Sequence, residues 1–266
     1  MDFTASTAQS GNISVTDDIE FASNILKNVD RGFTTLEQDY NCGTPTYPLC
    51  TNQGQVKRIW VHNNLILLST NLDTTPGQHQ WINIDGGDKS AFLGTTVGLT
   101  DFIFQHNTVL MIDGSVLRDF AFNLQGGGIC NPPVSTTHNI WMLDNVIARQ
   151  PIGTCGWRGT TGLGYYMGDP SPLAPRYLGN VMFVPSGDRV ATWPVHNYAT
   201  MVPVTYVNPG GANYQLLTPY WTDTSDGRLS GIDWATLQAA IGSSNSVVPH
   251  GSIEVWGSSS VSGPHP

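Results

Sequence analysis

Charge is scarce in this chain. Only 12% of its 266 residues are Asp, Glu, Lys or Arg, and 11 Lys and Arg stand against 20 Asp and Glu, giving a net charge of −9. There is no basic stretch of five or more residues. Phosphate binding needs clustered Lys and Arg, so a nucleic acid partner is excluded. No apolar run approaches the ~20 residues that span a bilayer as a helix, so no membrane insertion is expected. Long helical patterns are missing too. So are GxSxG, HExxH, phosphate-loop and dinucleotide fingerprints. The histidines at 62, 79, 106, 138 and 196 form no HxH or HxxxH cluster, which leaves no dedicated metal site in the pattern.

What is present is turn chemistry. The chain has 29 Gly and 17 Pro, with abundant Asn, Ser and Thr. That composition predicts an all-β domain of many short strands, and the length suffices for one large core. The four cysteines fall in two local pairs, Cys42 with Cys50 and Cys130 with Cys155, each in a turn-rich segment. None has zinc-finger spacing. Two loop-stapling structural disulfides fit better than a metal, and they predict a secreted, extracellular protein. The N-terminal Met-Asp-Phe-Thr-Ala-Ser carries no signal-peptide pattern. Either a signal was removed or the native start lies upstream.

A repeat runs through the chain. Five segments align on Asn24, Asn64, Asn107, Asn145 and Asn180, spaced by 40, 43, 38 and 35 residues. Five positions before the Asn stand Ile19, Ile59, Phe102 and Ile140. Three before stand Phe21, Val61, Phe104 and Met142. Two after stand Leu26, Ile66, Val109, Ile147 and Met182. Alternate apolar residues make the inward face of a short strand. The Asn sits where the chain turns, and it tolerates left-handed backbone. Stacked Asn amides also bond one another as ladders. A strand–Asn–strand unit that cannot bury its own face stacks on its neighbours, which predicts a parallel β-solenoid.

The segment Ile59-Trp60-Val61-His62-Asn63-Asn64-Leu65-Ile66 resembles the repeat of large secreted bacterial right-handed parallel β-helix proteins in the pectate-lyase-like superfamily. The run Gly210–Leu216, followed by Ser225-Asp226-Gly227-Arg228, resembles the C-terminal end of those proteins. The resemblance covers about residues 13–241. It implies a right-handed β-helix with long inserted loops, since the coils here exceed the usual spacing. It also implies a short capping helix, Ile232 to Ile241, with Asp233 or Ser230 near its start. The expected organisation is coils over 1–207, a C-terminal cap over 208–241 and a Ser/Gly/Pro-rich tail over 242–266. The cap, with strand-like Met201–Val207 and Tyr214–Leu217, is expected to close one end of the solenoid. No amphipathic cap precedes the first coil. A homo-oligomer, or a covering chain at the N-terminal coil, is therefore expected, or else a processed fragment.

Outward positions on the strand before each Asn are the candidates for chemistry. Four before the Asn stand Glu20, Trp60, Ile103 and Trp141; two before stand Ala22, His62, Gln105 and Leu143; one before stand Ser23, Asn63, His106 and Asp144. Trp60 and Trp141, two coils apart, suit stacking on sugar faces, with His62 and Gln105 beside them. His106 and Asp144 are expected to pair, either as a catalytic dyad or as a corner hydrogen bond. If the strand alternation continues through them they are buried and structural. Asp88 and Asp113 are further catalytic candidates, with Asp85, Lys89, Arg118 and Asp119 nearby, although Asp85-Gly-Gly-Asp88 is also ordinary turn chemistry. Pectate lyases of this fold use calcium held by carboxylates and a basic proton acceptor. Their pattern does not carry over residue by residue, so no cofactor is expected, with calcium the one ion the resemblance would admit. Two functions follow as expectations: binding or cleaving an extracellular polysaccharide as a lyase or glycoside hydrolase, or serving as a non-enzymatic structural or adhesion module that self-assembles or packs on another chain.

Overall fold

The computed structural model describes residues 2–4, 15–29, 33–36, 55–69, 82–85, 100–111, 122–125, 138–148, 152–154, 177–183, 196–200, 204–220 and 222–243. The fold is mostly β. One parallel sheet joins β1 (Asp2–Thr4), β4 (Phe33–Leu36), β7 (Ile82–Asp85), β10 (Phe122–Gln125) and β13 (Ile152–Thr154). A second joins β2 (Val15–Ala22), β5 (Gln55–His62), β8 (Thr100–Gln105), β11 (His138–Leu143) and β14 (Tyr177–Leu178). A third joins β3 (Ile25–Val29), β6 (Leu65–Leu68), β9 (Thr108–Met111), β12 (Val146–Ala148), β15 (Val181–Phe183) and β16 (Tyr198–Thr200). From β1 to β12, each strand pairs in parallel with the strand three later in the chain. That is the connectivity of a parallel solenoid with three strands per coil.

The repeat read from the sequence is the register of the sheets. Ile19 pairs with Ile59, Ile59 with Phe102, and Phe102 with Ile140. Leu26, Ile66 and Val109 follow one another, and Ile147 continues to Met182. The side chains of Ile59, Phe102, Ile66, Val109, Ile147 and Met182 form the interior. Ile59, Val61, Ile66, Phe102, Phe104 and Met182 are fully buried, and the rings of Phe102 and Phe104 stack at 4.4 Å. In the first coil, Ile19, Phe21 and Leu26 are only half-buried.

The asparagines form one continuous ladder. Asn24 Nδ2 donates to Asn64 Oδ1 (3.1 Å), Asn64 Nδ2 to Asn107 Oδ1 (3.0 Å), Asn107 Nδ2 to Asn145 Oδ1 (3.0 Å) and Asn145 Nδ2 to Asn180 Oδ1 (2.9 Å). Each Oδ1 also accepts the backbone N–H of the Asn one coil earlier, at 2.9 to 3.1 Å. The second hydrogen of each Nδ2 reaches a carbonyl of the preceding coil: Phe21 for Asn64, Val61 for Asn107, Phe104 for Asn145 and Met142 for Asn180. A buried amide is costly unless every donor and acceptor is met, and Asn107 and Asn145 meet all of theirs. Asn197 adds a rung, since Asn180 Nδ2 donates to its Oδ1 at 2.7 Å. It stands only 17 residues after Asn180, which hid it from the repeat.

The left-handed residue at each corner is not the ladder Asn but the one before it. Ser23, Asn63, His106, Asp144, Gly179 and His196 all have φ between 51° and 72°. Ser, Asn, Asp, His and Gly fill that row, and Gly, Asn, Asp and His are the types most often found there. This kink breaks the strand alternation. It places a second row of side chains beside the ladder, outside the apolar interior.

The C-terminal segment lies against that row and against the outer face of the third sheet. It contains the antiparallel pair β17 (Tyr206–Asn208) and β18 (Asn213–Leu216), then the helix α1 (Trp234–Ser243). Leu237 and Ile232 pack on Leu65, Leu67 and Leu110. Val204 and Leu216 pack on Val146 and Val181. The contacts span several successive coils, so this segment seals a flank of the solenoid rather than closing an end. An end cap would touch the last coil alone. The helix starts two residues later than expected. Asp233 caps it, its carboxylate accepting from Thr236 N (3.1 Å) and Thr236 Oγ1 (2.8 Å).

Candidate functional site

Among the described residues, two clusters of polar side chains stand outside the apolar interior. The first lies along the left-handed row. A strap, residues 223–233, crosses this row from coil to coil. Asp223 meets His196, where Nδ1 contacts Oδ2. Ser225 N donates to Asp144 Oδ1 (2.9 Å), and Ser225 Oγ donates to Asp144 Oδ2. Asp226 Oδ2 lies 2.9 Å from His106 Nε2. Ser230 Oγ donates to the Gly179 carbonyl (2.5 Å), and Ile232 N donates to Thr108 Oγ1 (3.0 Å). Asp233 N donates to Asn63 Oδ1 (2.8 Å). Gly179 has φ +72°, and a Cβ there would run into the Asp144 carboxylate and the Thr224 backbone. The strap therefore needs a glycine beneath it.

His106 and Asp144 are brought together, as their stacked positions predict. Nε2 and Oδ2 are 3.7 Å apart, but Asp226 is the nearer carboxylate. Both partners are buried, His106 at 5% exposure and Asp144 at 0%. The cause is the strap and not the interior: the row projects outward and is then covered. Burial pushes the Asp144 carboxyl up, against the lowering effect of the two Ser225 hydrogen bonds and of His106. Asp226 goes the other way. Partial burial raises it, but the Arg228 side chain and backbone N–H, with His106, outweigh that and hold it at about 2.

His106, Asp144 and Asp226 each offer one ligand atom, and these lie within 4.8 Å of one another. The carboxylate oxygens already have donors. Arg228 Nε (2.7 Å) and a terminal guanidinium nitrogen (2.6 Å) both donate to Asp226 Oδ2, and Ser225 Oγ donates to Asp144 Oδ2. Three groups, one of them a nitrogen, fall short of the six to eight oxygens that calcium takes. Hydrogen bonding accounts for the arrangement without a cation.

The second cluster is on the outer face of the second sheet. The register places Glu20, Trp60, Ile103 and Trp141 in one row and Ala22, His62, Gln105 and Leu143 in the next. Trp60 is 40% exposed, and its ring stacks on His62 with centroids 3.9 Å apart. His62 Nε2 lies 2.8 Å from Glu20 Oε1, so the imidazole is held in place. Trp141 is half-buried. Gln105 Nε2 reaches Ser225 Oγ at 3.3 Å, which links this face to the strap. Toward the strand start, Arg58 pairs with Asp18 (2.5 Å) and Asp17 (2.7 Å).

Asp88, Asp113, Cys42, Cys50, Cys130 and Cys155 lie outside the described residues. Sequence reasoning missed Ser225, Asp226 and His196 as partners of the row. The repeated His-Asn pair, at 106–107 and 196–197, was the available signal for the last. Among the described residues no helix is long and apolar enough to cross a membrane. No family model matches the chain, and no curated protein or solved structure matches it significantly.

Proposed function

We propose that this chain is a secreted right-handed β-helix protein that binds an extracellular polysaccharide along the outer face of the β2–β5–β8–β11–β14 sheet. The observation that carries the reading is Trp60. A large ring 40% exposed on a sheet face, stacked on an imidazole that Glu20 holds, is a pre-oriented platform. Such a ring offers an apolar face to a sugar and leaves polar edges nearby for hydroxyl groups. Trp141 lies two coils along the same row, roughly 10 Å away by the inter-strand spacing. The sequence resemblance supports right-handedness and secretion, and the strong preference of parallel crossovers for that hand supports the first.

The test is a panel of neutral and uronate glycans, titrated against the full chain while tryptophan fluorescence is read. The expected result is saturable quenching by at least one polymer, lost in Trp60→Ala. Binding unchanged in that variant, or no binding across the panel, would overturn the reading. Assays for reducing ends and unsaturated uronates on the same samples separate binding from cleavage. The structural-module alternative has one observation in its favour: the half-buried apolar residues of the first coil, with Ile25 41% exposed. Concentration-dependent light scattering, abolished by Ile25→Lys, would support it.

A further inference from the structure

We infer that the glycan taken by the Trp60 platform is a cationic amino sugar, with Glu20 as the residue that selects its ammonium group. The inference rests on the binding face proposed above and names the ligand class for it. The charges on the strands of this sheet are the starting point. Their carboxylates are Asp17, Asp18, Glu20 and Asp101, and their Lys and Arg residues are Lys57 and Arg58.

Both of these cations are already engaged. Arg58 Nε donates to Asp18 Oδ1 (2.5 Å), and one terminal nitrogen donates to Asp18 Oδ2 (2.8 Å) and to Asp17 Oδ2 (2.7 Å). Lys57 Nζ lies 3.8 Å from Asp17 Oδ2. Among the described residues of this face, no Lys or Arg is left for a uronate. A carboxylate ligand on the platform would instead meet the like charge of Glu20.

Glu20 is differently placed from Asp17 and Asp18. It pairs in register with Trp60 on the next coil, and its side chain is 62% exposed. Oε1 meets His62 Nε2 at 2.8 Å, and Oε2 has no partner among the described residues. A carboxylate oxygen only accepts, so the ligand group it takes must donate. His62 is itself stacked on the Trp60 ring, which holds the carboxylate and the ring in one arrangement. A sugar lying on Trp60 thus brings a substituent to a fixed acceptor. Hydroxyl and acetamido groups donate, but an ammonium gains twice. Its hydrogen bond to the carboxylate is charge-assisted, and the indole face attracts a cation. Solvent reaches both groups, so the gain is modest, about tenfold in affinity over the same sugar N-acetylated. The expected order is amino sugar, then neutral sugar, then uronate.

Short oligomers test this on the full chain, because the net charge of −9 attracts any long polycation. Glucosamine, N-acetylglucosamine and galacturonate tetramers are titrated at low salt while tryptophan fluorescence is read. The glucosamine tetramer should bind about tenfold more tightly than its N-acetylated form, and the ratio should fall toward one at about 0.5 M salt. Glu20→Gln keeps an acceptor for His62 and should bring the ratio to about one even at low salt. Asp223→Asn removes the same charge at the strap and should keep the ratio. Equal affinities in the wild type would overturn the inference while leaving Trp60-dependent glycan binding intact. So would tighter binding of the galacturonate tetramer, with or without calcium, or a ratio that survives Glu20→Gln or is lost equally in Asp223→Asn. A tetralysine peptide bound as tightly as the glucosamine tetramer would overturn the assignment to a sugar. No Trp60-dependent binding of any tetramer would overturn the binding face itself, and the inference with it.

Discussion

The two described outer flanks of this solenoid are built by adjacent strands of the same coils, yet one is sealed and the other open. On the sealed flank, β6 reads Leu-Ile-Leu-Leu and is buried at all four positions. On the open flank, β5 alternates: Ile59 and Val61 are buried, while Arg58 and Trp60 are exposed and His62 is half-buried. A strand covered on both faces reads as a continuous apolar run, and one covered on a single face reads as an alternation. The difference lies in the C-terminal segment, which brings Leu237, Ile232, Val204 and Leu216 to one flank only. Stability and recognition are thereby separated. The sealed side carries the packing, and the open side keeps an aromatic ring in solvent.

Substitutions should separate these roles. The largest effect is expected from the ladder that both flanks share. Asn107→Ala would leave buried donors on Asn64 without their acceptor and take a side-chain donor from the Val61 carbonyl, costing about 3–5 kcal/mol in denaturant unfolding. Leu237→Ala should cost about 2–4 kcal/mol through the cavity it leaves. Its effect should concentrate on exchange at the strap amides and spare those of the ladder. Asn24→Ala, at the half-buried first rung, should cost about 1 kcal/mol, since it removes only the Nδ2 donors and keeps the backbone N–H on Asn64 Oδ1. Trp60→Ala on the open flank should shift stability by no more than about 0.5 kcal/mol while removing glycan binding. If Trp60→Ala were as destabilising as Leu237→Ala, the contrast between the flanks would fail.

Much of the architecture was legible in the sequence. The apolar positions flanking Asn24, Asn64, Asn107, Asn145 and Asn180 gave the register because they obey a period of two and share one corner mark. The ladder itself was legible because Asn is the residue whose amide can both donate and accept across coils. The left-handed residue was misplaced by one position. Asn is common in that conformation, so the ladder residue looked like the corner, while the telling feature was the mixed set Ser, Asn, His, Asp and Gly beside it. The strap was not legible. Its contacts join residues 27 to 170 positions apart, such as His106 with Asp226, and no local pattern encodes such a partner. The four-residue run Leu65–Leu68 did signal a strand covered on both faces. Only its inward members belong to the repeat, so the repeat alone points the helix to an end and not to a side. The pairing of His106 with Asp144 was legible from coil stacking, but its burial was not, because burial comes from the distant segment.

The most direct test of the sealed and open flanks is hydroxyl-radical footprinting of the native chain, with each site normalised to its rate in the unfolded state. Strong labelling at Trp60, together with protection at Leu65, Leu67 and Leu110 that is lost in Leu237→Asp, is the predicted result. Equal protection of Trp60 and those leucines, or labelled leucines in the wild type, would contradict it.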